Sequence, residues 1–191
     1  MGNLNVIVEA SARHVHVTTD ALSVLFGEGA SLHNKRELSQ PGQYITEEKV
    51  RIEGPRGAID RVSILGPERS VCQVEVSLTD ARALGISAPI RESGDIAGSS
   101  AITLVGPAGK VELAEGAIAA KRHVHLDPAT ANEYGIKDKD VVSLKLGGER
   151  GATLHEVVAR VHPNFRPAVH LDIDEANGVA LSGEVFGEII K

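Results

Sequence analysis

Tryptophan is absent from this chain, and phenylalanine and tyrosine together supply only 3% of it, so Val, Ile, Leu and Ala must fill any core. A single cysteine, Cys72, excludes an internal disulfide and suits a reducing compartment. Positive charge is in deficit: 20 Lys and Arg stand against 26 Asp and Glu, a net charge of −6. Nucleic-acid binding needs clustered positive charge to displace counterions, so that class of partner is excluded. No apolar run is long enough to span a bilayer, and the start lacks the basic region and apolar stretch of a signal peptide. Met1-Gly2 opens an acylation motif that then fails, because Val6 stands where Ser or Thr is required. The expectation is a soluble cytoplasmic chain. At 191 residues it removes roughly 70% of its unfolded surface from water and needs no staples.

What the chain has in quantity is histidine, eight residues, four of them in a repeat. Arg13-His14-Val15-His16 recurs as Arg122-His123-Val124-His125. Each copy follows a β-like stretch and precedes a helix start, at Thr18-Thr19-Asp20 and at Asp127-Pro128. Further on, Val74 to Ala81 parallels Val169 to Ala176. Between these segments lie matching hairpins, Val50 to Ala58 and Val142 to Ala152, with a looser third copy from Ile102 to Val111. Alternating strands around Gly and Pro turns predict a mainly β fold, two small β-barrels related by internal duplication and capped by short α-helices. His16 and Glu75 are 59 positions apart and His125 and His170 are 45, so the first half is 14 residues longer. The expected insertion lies near 34–50, around the Pro41-Gly42 turn.

Strand alternation places His14 and His16 on one face and Val15 and Val17 on the other; the same holds for His123 and His125 against Val124 and Leu126. The apolar partners can enter a core while each imidazole pair stays outside it. By the same parity Glu75 and His170 occupy equivalent positions in the second repeated segment. Both residue types bind zinc, so each half offers three donors, His/His/Glu and His/His/His, with a coordination position left open. A lone His-x-His pair is common on solvated strands. Replacement of one ligand type by another at the third position favours metal over an inherited surface pair.

The remaining features carry less. Parity points Cys72 into the core with Val74. Arg69 shares a strand parity with Glu75, which allows an anion contact if the chain bends after Gly66-Pro67; a solvated arginine fits as well. Arg91 to Asp95 is an irregular polar run. The Gly-rich turns do not lead into helices as a phosphate loop does, and they fit hairpins better. His33, His155 and His162 have no counterpart in the repeat and are expected at the surface or in packing.

Taken in order, Ser11 to His16, Leu38-Ser39-Gln40-Pro41-Gly42-Gln43, Gln73-Val74-Glu75, Arg91 to Asp95, Lys121 to His125 and Val169 to Asp172 resemble the phosphate propanoyltransferase (phosphotransacylase) family of bacterial microcompartments and their cytoplasmic relatives. The resemblance implies an acyltransferase that exchanges a short acyl group, acetyl or propanoyl, between coenzyme A and inorganic phosphate, using two zinc ions. It places the metal ligands on His14, His16, Glu75, His123, His125 and His170, a phosphate-contacting arginine on Arg69 and an active-site serine on Ser93. It implies that residues 1–12 join 121–191 in one barrel while 13–120 build the other, and that the protein is a homodimer. With the first His-x-His beginning at His14, there is room for one strand and no encapsulation helix, which favours a free cytoplasmic enzyme. A dinuclear metallohydrolase and a non-catalytic metal-binding barrel are the alternatives; a single carboxylate among the candidate ligands disfavours the first.

Overall fold

The computed structural model describes residues 3–191, so the rejected acylation motif at Met1-Gly2 lies outside the described residues. In chain order the strands and helices begin with β1 (Leu4–Ser11), β2 (His14–His16), α1 (Thr19–Phe26), β3 (Asn34–Glu37), β4 (Tyr44–Glu53) and β5 (Ala58–Gly66). Then follow β6 (Gln73–Glu75), α2 (Leu78–Leu84), β7 (Ile90–Arg91), β8 (Ser100–Val105) and β9 (Lys110–Ala120). The last third holds β10 (His123–Leu126), α3 (Pro128–Glu133), β11 (Val141–Leu146), β12 (Ala152–Val161), β13 (Ala168–Asp172), α4 (Ile173–Gly178) and β14 (Val185–Ile190).

Two compact units result. One holds the chain up to Ser11, Ser39–Pro41 and Lys121–Lys191; the other holds Ala12–Leu38 and Gly42–Ala120. In the first, six strands close a ring in the order β1, β13, β10, β12, β11, β14. In the second, β9, β6, β2, β5, β4 and β8 close the same ring, with β3 and β7 added at its edges. Position for position the rings correspond: β2 with β10, β6 with β13, β9 with β1. The strand that leads into the first His-x-His therefore closes the ring that contains the second, and the converse holds for β9.

Alternation decides what each ring encloses. Val15 and Val17 are fully buried in one core beside Val74, Ile52, Ile64 and Leu104. Val124 and Leu126 are fully buried in the other beside Val169, Leu171 and Leu144. The hairpin turns are what their glycines indicate. Gly54 N–H donates to Gly57 O at 2.9 Å and Gly106 N–H to Gly109 O at 2.9 Å. Each turn lies against a helix end, Gly54 on the Leu84 carbonyl and Gly106 on that of Leu25, where a Cβ has no room. Among the described residues no helix is long and apolar enough to cross a membrane.

The arginine of the repeated tetrapeptide serves this scaffold. Arg13 Nε donates to Asp80 Oδ2 at 2.8 Å, and Arg122 Nε lies 2.6 Å from Glu175 Oε1. Asp80 and Glu175 are the carboxylates that complete the capping boxes of α2 and α4 with Ser77 and Asp172. In each unit the same ion pair pins the helix that follows the third candidate ligand to the strand that carries the first two.

Candidate metal centre

His14 and Glu75 face each other directly in the antiparallel β2/β6 ladder, and His123 and His170 do so in β10/β13. Duplication has thus preserved the register as well as the sequence, which is why a glutamate and a histidine can exchange at one position. In the second unit His14 Nε2 lies 3.5 Å from Glu75 Oε2, and His16 Nε2 lies 4.0 Å from Glu75 Oε1. The three ligand atoms fall within 4.8 Å of one another. The residues are only 6%, 3% and 8% exposed, which removes the solvated-pair reading.

Hydrogen bonding fixes which nitrogen is available. His14 Nδ1 is 2.9 Å from Ala12 O, and His123 Nδ1 is 2.9 Å from Lys121 O. A carbonyl accepts, so Nδ1 carries the proton in both and Nε2 keeps its lone pair, the arrangement in which a histidine ligand is oriented from behind. Burial, reinforced by His14 and Arg69, lowers His16 to about 3. Burial, reinforced by His123, His170 and Arg160, lowers His125 to about 2. Both imidazoles are neutral at neutral pH, the form that ligates. Burial opposes the charge of Glu75, but His14 outweighs it through charge and a hydrogen bond, and the carboxyl lies well below its ordinary range. The same pair acts on His14, where burial pulls down and Glu75 more than compensates.

Neighbours hold the carboxylate still. Gln73, 1% exposed, donates from Nε2 to Glu75 Oε1 at 2.6 Å and to Ser93 Oγ at 2.9 Å, while its Oε1 accepts from Gly94 N–H at 2.8 Å. Arg69 Nη1 donates to the same Ser93 Oγ at 3.3 Å. With two donors on its oxygen, Ser93 has its single proton left for Glu75, to which it also hydrogen-bonds. Arg69 is not on a strand face with Glu75 as parity suggested. β5 ends at Gly66, the chain bends, and Arg69 sits in the connection to β6 with its N–H on Val17 O at 2.9 Å. The bend brings it to Ser93. Cys72 likewise precedes β6 instead of belonging to it. It is half-buried against the core, with its thiol 3.9 Å from Thr18 Oγ1.

The other trio is gathered by its rings. His123 and His125 have centroids 4.7 Å apart, His125 and His170 4.9 Å, and His123 and His170 5.3 Å in a stacked pair. His125 Nδ1 is buried with no hydrogen-bond partner, an orphan that a bound cation would satisfy. Among the described residues the ligand atoms of His14, His16 and Glu75 alone converge within 4.8 Å. By donor chemistry both trios fit zinc: imidazole nitrogens oriented from behind in one, and three adjacent imidazoles with an unsatisfied buried nitrogen in the other.

Sequence reasoning passed over Gln73 as a site residue, although it stands two positions before Glu75 and so on the same face. A polar residue buried at that parity was the available signal. His33, His155 and His162 are exposed, as expected; His33 pairs with Glu48 at 2.7 Å, and His155 lies 3.0 Å from Ser143 Oγ.

The family model described as phosphate propanoyltransferase matches residues 7–182. A protein of that name from Listeria monocytogenes is 47% identical over 184 residues, covering 96% of this chain and 86% of the relative. The phosphate propanoyltransferase of Thermotoga maritima is 46% identical over 178 residues, covering 93% and 85%, and that of Lachnoclostridium phytofermentans 48% over 176 residues, covering 92% and 82%. Matched across both barrels and both His-x-His segments, the chain belongs to the phosphate propanoyltransferase family of acyltransferase enzymes.

Proposed function

We propose that this enzyme exchanges a short acyl group, acetyl or propanoyl, between coenzyme A and inorganic phosphate, with one zinc ion on His14, His16 and Glu75 and another on His123, His125 and His170. The observation that carries the reading is the convergent, buried His/His/Glu cluster at the register position where the other barrel has three histidines. Zinc on these ligands would supply the positive charge that lets a thiolate of coenzyme A depart unprotonated.

The chain's own groups do the rest. Arg69 binds phosphate through its planar fork, which matches the anion in two hydrogen bonds and orients it for attack on the acyl carbonyl. Gln73 and Ser93 keep Glu75 from rotating. Ser93 can serve an oxyanion only by turning its one proton away from that carboxylate. Cys72 lies beside Thr18, and among the described residues no base is aligned on it, so direct transfer is favoured over an acyl-enzyme.

Purified protein should contain two zinc ions per chain, with one lost in His14→Ala and the other in His123→Ala. Mixed with acetyl- or propanoyl-CoA and phosphate, it should release free thiol only when phosphate is present and form acyl phosphate in equal amount. Thiol release without phosphate would indicate a hydrolase, and zinc content with no turnover a binding protein. Arg69→Lys keeps the charge but loses the fork, so KM for phosphate should rise far more than KM for acyl-CoA. A stable acyl-protein adduct would overturn direct transfer.

A further inference from the structure

Between its first helix and the strand that follows, the ring of His14 carries a segment that the ring of His123 lacks. α1 ends at Phe26 and β4 starts at Tyr44, whereas α3 ends at Glu133 and β11 starts at Val141. The tip of that segment, Ser39–Pro41, parts from its flanking residues and belongs to the unit of His123, His125 and His170. Two side chains anchor it there. Ser39 Oγ donates to Glu9 Oε2 on β1 at 2.6 Å. Gln40, 2% exposed, clasps the Arg166 backbone: its Nε2 donates to Arg166 O at 3.0 Å, and its Oε1 accepts from Arg166 N–H at 3.1 Å. Both ends of a buried amide are thus committed to one residue of the connection between β12 and β13.

The Arg166 side chain is exposed, and what its backbone holds in place is the residue before it. The Phe165 ring packs on His125 with centroids 4.1 Å apart and planes tilted by 43°. His162 and Arg160 flank the same ring at 5.3 and 5.8 Å. Ahead of it, Phe165 N–H donates to His162 O at 3.0 Å and His162 N–H to Leu126 O at 3.1 Å, so the turn that carries the ring is fixed at both ends. His125 needs such a contact more than its counterparts do. Nδ1 of His14, His123 and His16 faces a backbone carbonyl, that of Ala12, Lys121 and Leu65, at 2.9, 2.9 and 3.4 Å. Nδ1 of His125 is buried without a hydrogen-bond partner. No carbonyl from behind turns this ring, so packing has to.

We propose that Phe165 is the positioning residue of His125, and that Gln40 acts on the histidine through it. The assignment rests on the two-ion reading above and deepens it: the ligands of the second ion stay His123, His125 and His170, and the segment found in one ring only serves to aim one of them. Phe165 blocks the rotations that would turn the lone pair of His125 away from the other two histidines. Gln40 keeps Phe165 from swinging out with the exposed connection.

Proton NMR of the metal-free protein reads the contact directly. An aromatic ring 4.1 Å away shifts the His125 ring protons by its ring current. Gln40→Leu keeps the volume and removes both bonds to Arg166, so it should collapse that shift towards the value in Phe165→Leu and leave the His14 and His16 signals in place. Titration with zinc against a chromogenic chelator reads the consequence. Phe165→Leu should weaken the ion on His123, His125 and His170 by roughly 10–100-fold, the loss typical of an orienting outer-shell partner, and change the cobalt(II) bands of that centre alone. Phe165→Tyr keeps the ring and should keep both. Gln40→Leu should move in the same direction by less, and combined with Phe165→Leu it should add nothing, because both act through one contact. Unmoved bands and affinity in Phe165→Leu, or equal weakening of both ions, would overturn the proposal, and additive losses would overturn the part given to Gln40. A lowered Tm with unchanged His125 signals would leave both as residues of the fold only. An unaltered chain that binds no ion on His123, His125 and His170 would remove the two-ion reading in the titration, whereas the proton shifts of the metal-free protein still report the Phe165 contact, so the two failures are read separately.

Discussion

Replacing Gln73 by leucine keeps the volume of the side chain and removes three hydrogen bonds at once. One is a short bond of 2.6 Å to a carboxylate, one of 2.9 Å holds the Ser93 hydroxyl, and one of 2.8 Å satisfies the Gly94 N–H. Gln73 is 1% and Glu75 8% exposed, so water cannot replace the bond to the carboxylate, whereas Gly94 is exposed and its N–H can be hydrated, which leaves the carboxylate bond and the Ser93 bond to count. A buried bond to a charged acceptor contributes about 1.5–3 kcal/mol and a neutral one about 1 kcal/mol, so the variant should lose on the order of 3 kcal/mol of stability. The larger consequence is for metal. Glu75 without its amide donor can rotate, and a ligand freed from its outer-shell partner typically forfeits about 10–100-fold in affinity. Denaturant unfolding of the metal-free form reads the first effect and chelator competition the second. The ion on His123, His125 and His170 should keep its affinity in the same titration. A Gln73→Leu protein that is less stable but binds both ions as the unaltered chain does would refute the argument, and Gln73 would be a packing residue with satisfied bonds.

Acid should destabilise the metal-free form. His16 and His125 have folded values of about 3 and about 2 against an ordinary 6.5, so the stability they contribute is present above pH 6.5 and lost as pH falls, at up to about 1.4 kcal/mol per pH unit each. Glu75, also depressed, adds to the loss below its ordinary 4.5, whereas His14, raised, works in the opposite sense and its contribution is lost as pH rises through its folded value. A Tm of the metal-free protein that stays flat between about pH 7 and pH 5 would contradict this sign. Cys72→Ala should cost about 1 kcal/mol from partial packing and leave turnover intact. A folded Cys72→Ala protein without activity would make the thiol part of the chemistry.

Much of the architecture was legible because duplication wrote it twice. The His-x-His copies, the hairpin glycines and the helix caps each signal a local structure, and a period of two sorted Val15, Val17, Val124 and Leu126 into cores without any knowledge of which strands pair. Glu75 and His170 could be read as equivalents for the same reason. What parity cannot supply is the neighbour across the ladder. Glu9 meets His170, and Ser39 meets Glu9, across stretches of chain that share no pattern. Arg69 could be placed only by letting the chain bend after Gly66-Pro67: β5 stops at Gly66, and the bend cancels the distance that an extended chain would impose.

The repeated tetrapeptide shows how a duplicated motif can mislead even where it informs. Arg13-His14-Val15-His16 recurs whole, which invites one explanation for all four residues. The structure separates three. The histidines face the candidate metal centre, the valine enters the core, and the arginine leaves both to bind the carboxylate that caps the helix after the third ligand. That last pairing explains why arginine travels with the histidines. Glu75 ends β6 and His170 lies two residues before the end of β13, and in each case a helix starts three residues after the candidate ligand. Pinning the start of that helix to the strand that carries the histidines fixes the third donor against the first two. The arginine therefore acts on the candidate metal centre through the fold, and its spacing from the histidines is set by strand geometry, with the side chain pointing away from the ligands it positions.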